Sequence, residues 1–388
     1  MASNRETVIE SVQRTYAAAA RQKEERLCCP VSYNPKFLKV IPQEVLERDY
    51  GCGDPSQFVR TGETVLDLGS GGGKICFIAS QVVGSAGRVI GVDMTDDMLS
   101  LARRNKPLVA AAIGYDNVEF KKGLIQDLRL DIADTEQYLA EHPVTSLSDL
   151  QALEAHQQLQ RQSRPLVADE SVDVIVSNCV LNLVSPQQKS QLFAEMFRVL
   201  RIGGRVAISD IVSDEDVPPE LQNDRELWSG CVSGALREDE FPAAFEQAGF
   251  FGIRLVKRDE KPWRTVNGIE FRSVTVTAHK GKQGPCLERN QAVIYAGPWK
   301  QVVDDDGHIL LRGRRTAVCD KTYRIMTNLN GPYAADIFGV EPLISVPASE
   351  ATAFNCKGVS LRHPQQSKGR NYQATITPAE NCTTDGCC

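Results

Sequence analysis

Cys179, in Ser177-Asn178-Cys179-Val180-Leu181-Asn182-Leu183, and Cys231, in Leu227-Trp228-Ser229-Gly230-Cys231-Val232-Ser233-Gly234, are thiols set among glycines and polar residues. Loop thiols in such settings suit ligation or redox chemistry better than packing. Cys52, in Tyr50-Gly51-Cys52-Gly53, and the run Cys28-Cys29-Pro30 lie upstream, so three or four thiols can converge on one face. Thiolates are soft ligands and select soft centres over magnesium or calcium. Cys76 has apolar neighbours and reads as core. Cys286, Cys319 and Cys356 lack zinc-ligand spacing and read as structural. Cys382, Cys387 and Cys388 close the chain in a small polar peptide, fitted either to thiol exchange or to no role at all.

The elements that must position these thiols follow from periodicity. From Glu63 to about Lys282, strand-like and helix-like stretches alternate, which predicts a mostly parallel sheet covered by helices. Strands are expected at Thr64–Leu68, Arg88–Val92, Val118–Phe120, Val172–Ser177 and Arg205–Ile211, with a helix at Pro186–Leu200. Ile253–Lys257 and Ser273–His279 read as a terminal hairpin. Asp127–Asp169 is too long and polar for an ordinary crossover and reads as a helical insertion, a lid or a packing arm. Val8, Val12 and Tyr16 sit at helical spacing near the start, with Asn4 as the expected N-cap. After Gly281 the texture changes; strands are expected at Val293–Tyr295, Thr316–Cys319 and Thr322–Met326, and a polar tail after about Phe354. The expected organisation is an N-terminal helical segment and lid over 1–60, a catalytic domain over 61–282, a small α+β domain over 283–360 and a flexible tail over 361–388.

Leu66-Asp67-Leu68-Gly69-Ser70-Gly71-Gly72-Gly73 follows a strand and opens a helix at Lys74. Glycines there permit a sharp turn and close approach of backbone N–H groups to a ligand. Such a turn also serves dinucleotide enzymes, so its context decides. The second strand ends in Gly91-Val92-Asp93-Met94, placing a carboxylate for both hydroxyls of a ribose. Asp67 puts a negative charge where a phosphate would be repelled and a cationic methionyl group welcomed. Gly123-Leu124-Ile125-Gln126-Asp127 follows the third strand and flanks the adenine position. The expected cofactor set is Tyr50, Asp67, Gly69, Gly71, Gly73, Asp93, Met94, Ile125, Gln126 and Asn178.

Across about Gly62–Lys280 these motifs resemble the class I S-adenosylmethionine methyltransferases, which implies an α/β Rossmann-like, seven-stranded, mostly parallel sheet with helices on both faces. Tyr-Gly-Cys-Gly, Ser-Asn-Cys-Val-Leu-Asn-Leu-Val and Leu-Trp-Ser-Gly-Cys-Val-Ser-Gly-Ala-Leu resemble the arsenite methyltransferase family. That resemblance implies S-adenosylmethionine as cofactor and Cys52, Cys179 and Cys231 as ligands of trivalent arsenic. Cys28 or Cys29 would be the further ligand or reductant, a choice that spacing leaves open. The insertion and the tail beginning Cys286-Leu287-Glu288-Arg289 resemble the cyanobacterial-type branch linked to arsenosugar formation. The implied partners are arsenite or its glutathione conjugates, glutathione or thioredoxin as reductant, and a radical enzyme of arsenosugar synthesis acting on the product. Arsenic held by thiolates keeps a lone pair that can attack a sulfonium methyl, so positioning is the protein's main contribution and no base is needed. The pentavalent product can be reduced by nearby thiols as they form a disulfide.

Composition narrows the alternatives. With 44 basic and 50 acidic residues the net charge is -6, which offers no surplus to displace phosphate counterions from nucleic acid. No apolar run approaches bilayer length, and the N-terminus lacks a secretory pattern, so a cytoplasmic protein is expected. Twelve cysteines in that compartment favour ligands or redox groups over disulfides. A methyltransferase for a carbon or oxygen acceptor such as a quinone or sterol would share the cofactor motifs but gives no reason for the thiols. A non-catalytic soft-metal sensor or carrier gives no reason for the cofactor motifs.

Overall fold

The computed structural model describes residues 7–24, 27 and 31–369. It divides into two compact units, Met1–Gly281 and Lys282–Cys388. Helix α1 (Val8–Arg21) begins the first unit. Thr7 caps it, accepting from the Glu10 N–H while Glu10 reaches back to the Thr7 backbone. This capping box sets the start, so the cap lies at Thr7 and the expected cap, Asn4, falls outside the described residues.

The sheet is built from β1 (Thr64–Leu68), β2 (Arg88–Asp93), β3 (Val118–Lys122), β4 (Val172–Asn178), β5 (Leu200–Ser213), β6 (Phe251–Arg258) and β7 (Ile269–His279). Its order is β3-β2-β1-β4-β5-β7-β6, with short strands Leu236–Arg237 and Arg264–Val266 at its margin. Strands β1 to β5 run parallel, and β7 is antiparallel to both β5 and β6. The order reverses between β1 and β4, and the carboxyl ends of strands at such a switch point open a crevice.

Alternation explains how one sheet builds two cores. Leu66, Leu68 and Ile175 point to one face, where Leu192, Phe241 and Phe245 cover them. Val65, Val174 and Val176 point to the other, against Phe77, Leu101 and Val109. Covering both faces requires near-continuous apolar strands, which is why β1 and β4 are visible as apolar runs. The covering helices include α2 (Lys74–Val83), α3 (Asp96–Ile113), α6 (Pro186–Val199) and α8 (Glu240–Gln247), numbered around the intervening α4 (Ile132–Glu141), α5 (Leu147–Ser163) and α7 (Arg225–Ser229).

The 127–169 insertion is α4 and α5, capped by Asp131 and Ser146. His156 lies 2.7 Å from Asp134, Tyr138 stacks on both His142 and His156, and Arg161 pairs with Asp127 at 3.0 Å. No α4 or α5 residue lines the cavity described below.

In the second unit a four-stranded sheet joins Ala292–Tyr295, Arg315–Ala317, Ile337–Pro342 and Ser367–Gly369. The last strand reaches into the stretch read from sequence as a tail. Thr322–Met326, expected as a strand, is helical within Asp320–Met326. The Cys319 sulfur accepts from the Thr322 N–H as a cap, and Tyr323 and Met326, three apart, are both buried. Helical spacing there outweighs β propensity. Among the described residues no helix is long and apolar enough to cross a membrane.

Candidate active site

The β1–α2 glycine loop, the ends of β2 and β4 and helix α1 line an open cavity, the kind of concave site that small molecules occupy. Gly69 and Gly71 have φ of 70° and 51°, left-handed values that turn the loop around the cavity. The Ser70 hydroxyl is buried behind the loop, on the Gly91 side, without a partner among the described residues. Asp93 accepts from the Gly71 N–H at 2.9 Å and the Thr95 N–H at 2.8 Å, which fixes its carboxylate at the rim. Asp67 is 2% exposed, and burial raises its pKa to about 7 although the Cys76 thiol donates to it. A buried carboxylate held that far up lacks a cation. An open glycine loop, a carboxylate fixed at the rim and a cation-seeking carboxylate together fit S-adenosylmethionine, with its ribose hydroxyls and its cationic methionyl end.

Tyr50, Asp67, Gly69, Gly71, Asp93, Met94, Ile125, Gln126 and Asn178 all line this cavity. Gly73, also expected there, does not: a Cβ on it would lie 2.7 Å from the Phe120 ring, so its small size serves packing behind the loop. Asn178 lines the cavity, but its amide is already engaged. Its Oδ1 accepts from the N–H groups of Cys52 and Gly53 at 2.8 and 3.0 Å, and its Nδ2 donates to the Gly53 carbonyl at 2.7 Å. Asn178 thereby clamps the Tyr50–Gly53 segment to the end of β4. The approach is close enough that a Cβ on Gly51 would lie 2.0 Å from Asn178 Nδ2. Tyr50 closes the segment from the other side, donating to the Ala19 carbonyl on α1 at 3.0 Å.

Cys179 follows β4 directly and lines the cavity. Cys231 sits in the turn after α7, and its thiol donates to the Cys179 carbonyl at 3.1 Å. Both have left-handed backbones, φ 62° and 60°. That conformation is uncommon for residues with a side chain, and such strain concentrates at functional sites. Their sulfurs and a carboxylate oxygen of Asp210 lie within 4.8 Å of one another, all buried. Asp210 accepts from the Leu181 N–H at 2.8 Å, the Asn182 Nδ2 at 2.9 Å and the Ile211 N–H at 2.8 Å. Burial pushes its pKa up to about 6 despite these donors. Asn182 also donates to the Cys231 carbonyl at 3.3 Å, and Lys189 donates to the Gly234 carbonyl. These bonds hold the Cys231 turn over the end of β4.

Cys52 is buried in the same apolar cluster as Cys179 and Cys231, but the mutually close group is Cys179, Cys231 and Asp210. Cys28 and Cys29 lie outside the described residues. Two contributors were missed in the sequence. Asp210 is a lone carboxylate inside the buried run Arg205–Ile211, and a charge in an apolar strand was its signal. Tyr16 lies on the apolar face of α1 and lines the cavity. Its hydroxyl is pushed well above its ordinary pKa by burial, with the Cys231 and Cys179 thiols beside it.

Comparison with known proteins fits this geometry. A methyltransferase domain family matches residues 60–138 and 145–249. The chain is 33% identical to the arsenite methyltransferase of Aquipseudomonas alcaligenes, over 82% of its own length and 87% of the relative's. The chain belongs to the arsenite methyltransferase family. Within that family it is 41% identical to the arsenite methyltransferase of Halobacterium salinarum, over 54% of this chain and 43% of that one. An arsenic(III) S-adenosylmethionine methyltransferase from Chlamydomonas reinhardtii superposes with a TM-score of 0.55 at 26% identity, covering 84% of this chain and all of that one. Residues 282–372 match a domain of unknown function.

Proposed function

We propose that this protein transfers methyl groups from S-adenosylmethionine to trivalent arsenic held by Cys179 and Cys231, with Cys52 as a further ligand for arsenite. The observation that carries the reading is the convergence of two strained, buried thiols at the edge of the glycine-loop cavity. A carbon or oxygen acceptor would need neither thiol.

Bound S-adenosylmethionine supplies an electrophilic methyl group. The chain's own residues do the rest. Asp93 takes the ribose hydroxyls, Asp67 the cationic end, and the 123–126 segment flanks the adenine. Cys179 and Cys231 exchange their protons for arsenic as arsenite hydroxide leaves as water, and the lone pair on arsenic stays free to take the methyl. Asp210 is a positioning residue: it pins the Leu181–Leu183 turn, and through Asn182 it fixes the Cys231 turn. Asn178 holds Cys52 beside the same face. Return of arsenic to the trivalent state takes two electrons, given as two thiols join in a disulfide. Cys52 with Cys28 or Cys29 is the proposed pair, reset by glutathione or thioredoxin.

A cytoplasmic, reducing setting, where thiols stay available for ligation, is proposed with this chemistry. Arsenite or its glutathione conjugates are the proposed substrates. A radical enzyme of arsenosugar synthesis is a proposed consumer of the product, on the cyanobacterial-type resemblance of the insertion and tail. Incubation of the protein with arsenite, glutathione and S-adenosylmethionine should yield methylated arsenic by chromatography coupled to mass spectrometry. Methylation of a quinone or sterol with none of arsenic would overturn the reading.

A further inference from the structure

The second unit holds another thiol cluster. The sulfurs of Cys286, Cys319 and Cys356 all lie within 4.8 Å of one another. They are scattered in sequence and read there as structural, and the fold brings them together. Cys286 precedes the strand Leu287–Glu288, which pairs antiparallel with Thr352–Ala353. The Phe354 N–H donates to the Cys286 carbonyl at 2.9 Å, bringing Cys356 back to Cys286. Cys319 caps the helix Asp320–Met326 and meets the pair from the third side. All three are free thiols. Cys319 is buried, and Cys286 and Cys356 are half-buried, so the cluster is open to a small solute.

The donor set selects the occupant. Three thiols with no hard ligand favour a soft centre. Among the described residues no fourth histidine, cysteine or carboxylate joins the group, whereas structural zinc sites almost always take four protein ligands. A centre with three bonds to sulfur matches the count. Bonds of about 2.3 Å from one pyramidal centre draw three sulfurs to roughly 3.4 Å from one another, so closure needs each sulfur to shift by about an ångström or less.

We propose that Cys286, Cys319 and Cys356 form a trithiolate site for trivalent arsenic, in addition to the Cys179–Cys231 site. The choice of arsenic among soft centres rests on the function proposed above. Binding is an exchange: three S–H and three As–O bonds break, three As–S bonds form and three waters leave. Arsenic stays trivalent and no electron moves. Burial raises the Cys286 thiol, but the Cys356 and Cys319 thiols and the Lys321 ammonium outweigh it and bring its pKa below the ordinary thiol value. Burial raises the Cys356 thiol.

The test counts arsenic. The full-length, reduced protein is loaded with arsenite, freed of excess by gel filtration and measured by inductively coupled plasma mass spectrometry. Cys286→Ser, Cys319→Ser and Cys356→Ser should each carry one equivalent of arsenic fewer than wild type. Initial methylation rates at saturating arsenite should stay within twofold. Serine keeps a capping oxygen at position 319, and the two half-buried positions provide variants that leave the core intact; circular dichroism checks all three. The same one-equivalent loss in a preparation that methylates no arsenic would support this site while overturning the catalytic reading. Unchanged stoichiometry in folded variants would overturn the trithiolate site. So would zinc, found in wild type as isolated, removed by the same substitutions and not displaced by arsenite.

Discussion

Lowering the pH from 8 to 6 should weaken S-adenosylmethionine binding about tenfold, and Asp67 should be the cause. Its carboxylate is buried at the cavity, and its pKa stands at about 7. Only the ionised form attracts a cation, so affinity should follow the ionised fraction of the free protein. That fraction falls from about 0.9 at pH 8 to about 0.1 at pH 6, a loss of ~1.4 kcal/mol. Asp67→Asn keeps the shape and an acceptor for the Cys76 thiol, so it should bind weakly at pH 8 and show no slope. The same group sets a stability trend. Its folded pKa lies above the unfolded carboxylate value of 3.8, so its contribution is complete below that pH and is lost as pH rises through about 7. Asp210, raised to about 6, acts in the same direction. The cofactor should therefore raise the melting temperature more at pH 8 than at pH 6. Isothermal titration calorimetry at both pH values, on wild type and Asp67→Asn, is the assay. A flat wild-type profile, or an equal slope in the variant, would refute the placement of the cationic group at Asp67.

Gly51→Ala drives a Cβ into the Asn178 amide and should destabilise the protein by about 1–3 kcal/mol; thermal melts should show a smaller cost in an Asn178→Ala background. Cys231→Gly relieves a left-handed backbone at φ 60°, so it should be about 1 kcal/mol more stable than Cys231→Ser, and equally inactive. Asp210→Asn keeps the size of the side chain but loses charge-assisted bonds to Leu181 and Asn182. It should cut arsenic methylation about tenfold, and calorimetry should find cofactor affinity unchanged.

The strands around the site were legible because burial on both faces demands apolar runs, and the Gly-rich loop and Asp93 mark where two of them end. The thiols Cys179 and Cys231 were legible as residues out of place on loops. Their backbone conformation was not, since nothing in Ser177-Asn178-Cys179 dictates a positive φ. Asn178 lines the cavity as expected, but its hydrogen bonds to Cys52, Gly53 and Tyr33 join segments far apart in sequence and were not legible. Thr322–Met326 misled because a short run with few apolar residues fits either period, and a cysteine cap decided it. The meeting of Cys286, Cys319 and Cys356 was invisible, because it depends on one short strand pairing across the second unit.

The central claim is that Cys179 and Cys231 form the platform from which arsenic is methylated. Arsenite can bond three thiolates, whereas monomethylated trivalent arsenic can bond only two. The direct measurement is the initial methylation rate of both substrates by Cys179→Ser, Cys231→Ser and Cys52→Ser under excess external thiol. Cys179→Ser and Cys231→Ser should lose both activities, and Cys52→Ser should keep only that on the monomethyl compound. Near wild-type methylation of either substrate by Cys179→Ser or Cys231→Ser would contradict the account.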